Sequence, residues 1–393
     1  MQDAGRRDVY LQALQEIVAP PTAPFHEEHV AAAIGRHLRA SGVPYRVDDD
    51  GNIIAHYQQG TPCRPLILMA HMDHPALTIT QTGGPGGADY TAALEGGVAA
   101  QCFEREVPIK LFPRGVASFE QGLGACIVGY RRGEGPRDVD LYVRLDDAAD
   151  AGAIAGGDFG VWDLPSFELR GDMVHARAID DLAGCAAIVL ALDAVAREGW
   201  PTDVYGVFTR AEEVGLVGAR VLFESGVLPR DGIVVSLEAS KALPGAQQGD
   251  GPVIRVGDRA TTFSEGAELV LKAAAERLGS NVWHPLRENT VAVQRQLMSG
   301  GRCEASAAIS AGYQATGLAF PLGNYHNVAA DGSHTLIPET IDARDYLTGV
   351  ALLQEAARVM PDLPRLEAEP DSPYGRAERY AERLRSSAAR ITA

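Results

Sequence analysis

No part of the 393-residue sequence stays apolar over the roughly 18 positions that a membrane-crossing helix needs. The opening segment MQDAGRRDVYLQALQEIVAPP has two arginines but neither the apolar run nor the small-residue cleavage site of a secretory leader, so a cytoplasmic protein is expected. Positive charge is scarce: 35 lysines and arginines face 52 aspartates and glutamates, a formal net charge of −17. Such a field repels phosphate backbones and anionic bilayers and argues against nucleic acid or a membrane as partner. Cysteine is sparse too. Cys63, Cys102, Cys126, Cys185 and Cys303 are odd in number, scattered and never in a CxxC pair, so neither a disulfide framework nor a thiolate zinc site is signalled. There is no GxSxG elbow and no internal repeat, and GGPGG at 83–87 lacks the strand-to-helix setting of a phosphate loop.

What is present reads as a globular protein, with 46% hydrophobic residues, 22% charged and 43 glycines to serve turns. The length exceeds a single core and predicts two domains. The spacing of HEEHVAAAIGRHLRAS predicts an amphipathic helix over 26–41, followed by two short strands around DDDGN and a buried strand in RPLILMAHMD. Between 76 and 165 the texture changes to short β-prone pieces (ALTITQT, REVPIKLF, DVDLYVRL, DFGVWDL) between glycine-rich turns. From 180 onward helices and strands alternate: DDLAGCAAIVLALDAVAREG, DVYGVFTR, GLVGARVLFESG and GIVVSLEAS, then a helix over 263–278, the strand ATGLAFPL and the helix IDARDYLTGVALLQEAARVM. This alternation predicts an α/β fold, a sheet flanked by helices on both faces. The expected division is a domain formed by 1–75 and 166–393 with an all-β insertion at 76–165. The charged tail GRAERYAERLRSSAAR reads as an exposed helix.

Five short motifs carry chemistry. AHMDH sets His71 and Asp73 two apart at a strand end, where both side chains can face one way. RAIDDLAG pairs Asp180 with Asp181 ahead of a helix, FTRAEEVG puts Glu212 and Glu213 after a strand, VVSLEAS ends a strand near Glu238, and PLGNYHN places His326 just past another. Each alone has an ordinary structural reading: a helix cap, an acidic first turn, a hydrogen-bonded histidine. Together they place two histidines and several carboxylates at the strand ends of an α/β sheet, where ligands collect. Such a set suits two divalent ions sharing one carboxylate, with Asp180 as the bridge. His74 and His334 are possible substitutes for the two histidines, and HEEH at 26–29 reads as a solvated helix start.

In this order the motifs AHMD, GDFGVWD, RAIDDLAGCAA, FTRAEEVGLVGA, a strand ending in an acid and a late histidine resemble the co-catalytic zinc aminopeptidases, within them the glutamyl aminopeptidase, tetrahedral aminopeptidase and cellulase-M-like family. The resemblance implies a mixed sheet with an inserted β domain and two metal ions, zinc first, with cobalt or manganese as alternatives. It assigns His71, Asp180 and Glu238 to one ion and Asp180, Glu213 and His326 to the other, with Glu212 as general base and Asp73 orienting His71. A cis Asp180–Asp181 peptide and a homo-oligomer are also implied. The sequence departs from the family at Glu238, where Asp is usual, at Leu182, where Arg is usual, and at His74, where Glu is usual. The activity implied is removal of N-terminal residues from short peptides. A carboxypeptidase or N-acyl amino acid deacylase on the same site, or a catalytically silent binding relative, are the alternatives.

Overall fold

The computed structural model describes residues 2–116, 118–135, 138–283, 288–368, 374–388 and 390. Helices α1 (Gln2–Val18) and α2 (Glu28–Ala40) lead into β1 (Tyr45–Val47), β2 (Ile53–Gln58) and β3 (Leu66–His71). Six strands follow: β4 (Ala76–Thr82), β5 (Tyr90–Glu95), β6 (Val107–Phe112), β7 (Leu123–Arg132), β8 (Val139–Leu145) and β9 (Phe159–Trp162). The chain returns through β10 (Glu168–Arg170) and β11 (Met173–Ala176) to α3 (Leu182–Glu198), β12 (Asp203–Thr209), α4 (Val217–Ser225), β13 (Ile233–Lys241) and β14 (Val253–Gly257). It finishes with α5 (Glu265–Leu278), β15 (Gln294–Leu297), α6 (Glu304–Ser310), β16 (Gln314–Leu322), β17 (Glu339–Asp342), α7 (Ala343–Val359), α8 (Leu363–Ala368) and α9 (Tyr374–Ala388).

The main sheet runs β1-β2-β12-β3-β13-β16-β14-β15. Its centre, β12-β3-β13-β16, is parallel, while β2 and β14 join it antiparallel, so the sheet is mixed. The wholly apolar run of β3 is explained by burial on both faces. Leu66, Leu68 and Ala70 pack in the core beneath α1, α3 and α7, whereas Ile67 and Met69 meet Leu222 and Phe223 of α4 and Ala308 of α6 on the other side. Each such buried large side chain contributes roughly 1.5–3 kcal/mol. Helix α3 starts where the Asp181 carboxylate accepts the N–H of Gly184, and stops at Gly199, whose φ of 64° is left-handed.

The six strands of the 76–162 segment close into a barrel in the order β4-β5-β8-β7-β6-β9, filled by Leu77, Ile79, Ile109, Leu111, Ile127, Leu141, Val143 and Trp162. Strands β5 and β7 escape sequence reading because YTAALE and LGACIVGYRR hold alanine and glycine, poor strand formers. Helices α1 and α6 and strands β14 and β15 were likewise not anticipated. A second small sheet, β10-β11-β17, ties residues 168–176 to 339–342. Among the described residues no helix is long and apolar enough to cross a membrane.

Candidate metal centre

The parallel strands bring their C-terminal ends to one side of the sheet, and the residues singled out above gather there. His71 closes β3 in register with Thr209 of β12, Glu212 and Glu213 follow β12, Glu238 lies near the end of β13, and His326 sits in the turn after β16. Asp180 enters from the β11–α3 connection, and its peptide to Asp181 is cis. His71, Asp180, Glu213, Glu238 and His326 are all buried.

Asp180 stands in the middle. Its Oδ1 is 3.7 Å from Nε2 of His71 and its Oδ2 is 3.7 Å from Nε2 of His326. Nε2 of His326 is also 3.3 Å from Oε1 of Glu213. The 3.7 Å separations exceed a hydrogen bond. They resemble the spacing of neighbouring ligands on one ion, which bond lengths of about 2.0–2.2 Å place roughly 3.3–3.6 Å apart. Two overlapping groups have the ligand atoms for an ion within 4.8 Å of one another: His71, Asp180 and Glu238, and Asp180, Glu213 and His326. A third group within the same span joins His71 to Glu212 and Glu213. Among the described residues the buried Oδ1 of Asp180 has no hydrogen-bond partner, as expected of an atom whose partner is a cation.

Both histidines are oriented with Nε2 toward the centre. Nδ1 of His71 lies 3.0 Å from the carbonyl of Asp73, and Nδ1 of His326 lies 2.8 Å from the carbonyl of Gly97. Donation through Nδ1 leaves Nε2 of each ring free to act as a ligand. The Asp73 carboxylate, 3.6 Å from His71, accepts the N–H groups of Glu212 at 2.9 Å and Glu213 at 3.0 Å. Asp73 therefore orients His71 chiefly through its carbonyl, and its carboxylate fixes the two-glutamate loop.

The electrostatics reflect crowding of like charge. Burial pushes Glu212 well above the ordinary carboxylate range, against the pull of His71, with Glu213, Glu304 and Asp73 adding to the rise. Burial likewise raises Glu238, reinforced by Asp180 and Glu212. Burial opposes protonation of His326, but the neighbouring Glu213 and Asp180 carry it up to about 10. Such an acid-rich pocket is offset naturally by divalent cations. Glu212 differs from the other acids of the centre in being only partly buried, with Oε2 4.0 Å from Nε2 of His71; with Glu213, Tyr325 and His326 it lines a cavity of about 890 Å³.

Several supports were not visible in the sequence. Glu339 accepts the N–H groups of Ile179 (2.8 Å), Asp180 (3.1 Å) and His326 (2.9 Å), bracing the backbone of two members of the cluster with one carboxylate. His74 has both ring nitrogens engaged, on the Asp180 carbonyl at 2.7 Å and on Asn327 Oδ1 at 2.9 Å, so it supports the centre from behind. His334 belongs to none of the candidate metal groups among the described residues. HEEH does start helix α2, with Glu28 exposed, but it is not wholly solvated: Glu27 is buried and accepts from Arg210 Nε at 2.7 Å and from the N–H of Ala211 at 3.0 Å, immediately before Glu212. Gly97, which comes from the barrel segment, had no local signal at all.

Comparisons with known proteins place this arrangement. Residues 138–333 match the family model described as M42 glutamyl aminopeptidase, a span that holds Asp180, Glu212, Glu213, Glu238 and His326. A protein of Acetivibrio thermocellus that carries an aminopeptidase name is 26% identical over 344 residues, covering 84% of this chain and 93% of its own. The fold is similar to that of an aminopeptidase from the archaeon Desulfurococcus kamchatkensis, with a TM-score of 0.70, 20% identity and coverage of 91% of this chain and 97% of that one. It is also similar to the TET1 peptidase of Pyrococcus horikoshii, which assembles into a tetrahedron or a large octahedral shell, with a TM-score of 0.67, 23% identity and coverage of 88% and 99%. With motif order, fold and family model in agreement, the chain is a member of the M42 glutamyl aminopeptidase family and a metal-dependent aminopeptidase.

Proposed function

We propose that the chain holds two divalent ions, zinc foremost, and removes N-terminal residues from short peptides. The observation that carries this is Asp180, whose two carboxylate oxygens each face the Nε2 of a different histidine at 3.7 Å. His71, Asp180 and Glu238 would hold one ion and Asp180, Glu213 and His326 the other. The ions would supply Lewis acidity, polarising the scissile carbonyl and lowering the pKa of a water toward neutrality.

Glu212 is the general base in this reading. It lines the cavity and is fixed at its backbone by Asp73, which places its carboxylate to take a proton from a water and return it to the leaving amine. Residues 76–165 act as an inserted domain that reaches the centre through the Gly97 carbonyl on His326. Assembly into a homo-oligomer accompanies this reading.

The test compares unblocked and N-acetylated peptides, before and after treatment with a chelator and re-addition of Zn, Co or Mn. Cleavage restricted to free N termini and restored by metal is expected. Preference for acetylated peptides, or full activity after metal removal, would contradict the proposal.

A further inference from the structure

The cavity beside Glu212 extends well past the candidate metal centre, and part of its wall is basic. Arg220 projects from α4, Arg259 from the turn after β14, and Arg302 from the residue pair ahead of α6, and all three line the cavity. Apart from Glu212 and Glu213 at the candidate metal centre, Glu224 is the one acid among the described residues lining the cavity, so away from that centre three arginines face a single carboxylate in a chain of net charge −17. Elsewhere arginines such as Arg131, Arg144, Arg197 and Arg295 are paired with carboxylates. Among the described residues the guanidiniums of Arg220, Arg259 and Arg302 make no such pair.

The loops that present two of them are built rather than loose. The buried carboxylate of Asp258 accepts the N–H groups of Ala260 at 2.7 Å and Thr261 at 2.8 Å, the N–H of Cys303 at 3.3 Å and the hydroxyl of Ser306. The N–H of Arg259 also donates to the Gly301 carbonyl at 3.0 Å. One acid thus locks the Arg259 turn against the start of α6 and sets Arg259 and Arg302 side by side. Size matters as well: about 890 Å³ lies near the top of the roughly 300–1,000 Å³ range of pockets that enclose whole small molecules, far more than one side chain requires.

We infer that this basic wall binds the free C-terminal carboxylate of a short peptide whose N-terminal residue lies at Glu212 and His326. The inference rests on the aminopeptidase reading and adds a selection for short, free-acid substrates. Guanidinium groups suit a carboxylate because their paired N–H donors match its two oxygens.

The experiment measures kcat/KM for the tripeptide Ala-Ala-Ala and for its C-terminal amide, with the wild-type protein, the Arg220→Ala/Arg259→Ala/Arg302→Ala variant and the single Arg259→Glu variant. Wild-type protein is expected to favour the free acid by about tenfold or more, the scale of charge-assisted hydrogen bonds. The triple variant should bring that ratio close to one, and Arg259→Glu should lower it. Melting temperatures confirm that both variants fold. A wild-type ratio of one, or a ratio that the triple variant leaves as it was, overturns the inference. So does a loss that instead follows Glu against Gln at the N terminus of amidated peptides, which would make the wall a side-chain pocket. Wild-type hydrolysis of the amide tests the aminopeptidase reading separately.

Discussion

Replacing Glu339 by alanine removes in one step the acceptor of the N–H groups of Ile179, Asp180 and His326. Buried donors left unsatisfied cost about 1–3 kcal/mol each, so Glu339→Ala should lose on the order of 3 kcal/mol or more. Chemical denaturation of the metal-free protein checks this, and an unchanged midpoint would mean that water replaces the carboxylate at no loss. The residues proposed as ligands were legible in the sequence because each lies near or shortly past the end of a strand, and the strand ends of an open α/β sheet converge. Glu339 was not, because two of its three hydrogen bonds join backbone about 160 residues away, and no local pattern distinguishes it from a helix-start acid. Asp73 was half legible: its proximity to His71 followed from period two, but its main duty toward the Glu212–Glu213 backbone depends on how β12 lies beside β3.

At the level of elements, the loop between β12 and α4 is set by Gly218. A Cβ there would lie 2.4 Å from the Arg210 carbonyl oxygen, 2.6 Å from the Arg210 nitrogen and 2.6 Å from Asn52 Oδ1. Two of those atoms are backbone and cannot swing aside, so Gly218→Ala should destabilise by about 1–3 kcal/mol and move the loop that carries Glu212 and Glu213. Lower melting temperature together with weaker metal retention is expected, and a variant that keeps both would show that the loop tolerates the shift. The first turn of α7 supplies a pH test remote from the metal centre. Asp345, which accepts the N–H groups of Gly249 and Gly251, is raised by burial to about 6, with Asp342 adding to the rise and Arg344 opposing it. Its unfolded value is about 3.9, so the folded chain holds this proton more tightly. Stability from this group therefore falls as pH rises from about 4 to about 6 and changes little above that. Melting temperature plotted against pH across this window should have a more positive slope for Asp345→Asn than for wild type, because the variant lacks this declining contribution, and equal slopes would contradict the assignment. Long periodic elements such as α3 and α7 were readable from their apolar spacing, whereas the Ala- and Gly-rich β5 and β7 owe their strand form to barrel neighbours.

For the whole molecule, this chain leaves Phe25, Val47, Leu169 and Leu297 more than a third exposed, apolar area that the proposed homo-oligomer would cover. Self-association is expected, and sedimentation at several concentrations checks it: a monomer throughout would remove assembly from the account. The net charge of −17 would oppose association at low salt, so larger species should gain with ionic strength. The order of strands around the main sheet and the antiparallel arrival of β14 lay outside sequence reading, because pairing between distant segments leaves no periodic mark. In the proposed mechanism the adjacent glutamates divide the labour, Glu213 holding an ion and Glu212 moving a proton. Metal content per chain and peptide turnover, measured together for Glu212→Gln and Glu213→Ala, test it most directly. Glu212→Gln should retain two ions per chain and near-normal stability while kcat falls by about 10²-fold or more, with KM little changed. Glu213→Ala should lose or loosen one ion and melt at a lower temperature. An active Glu212→Gln protein, or one that sheds metal while Glu213→Ala keeps both ions, would contradict the assignment.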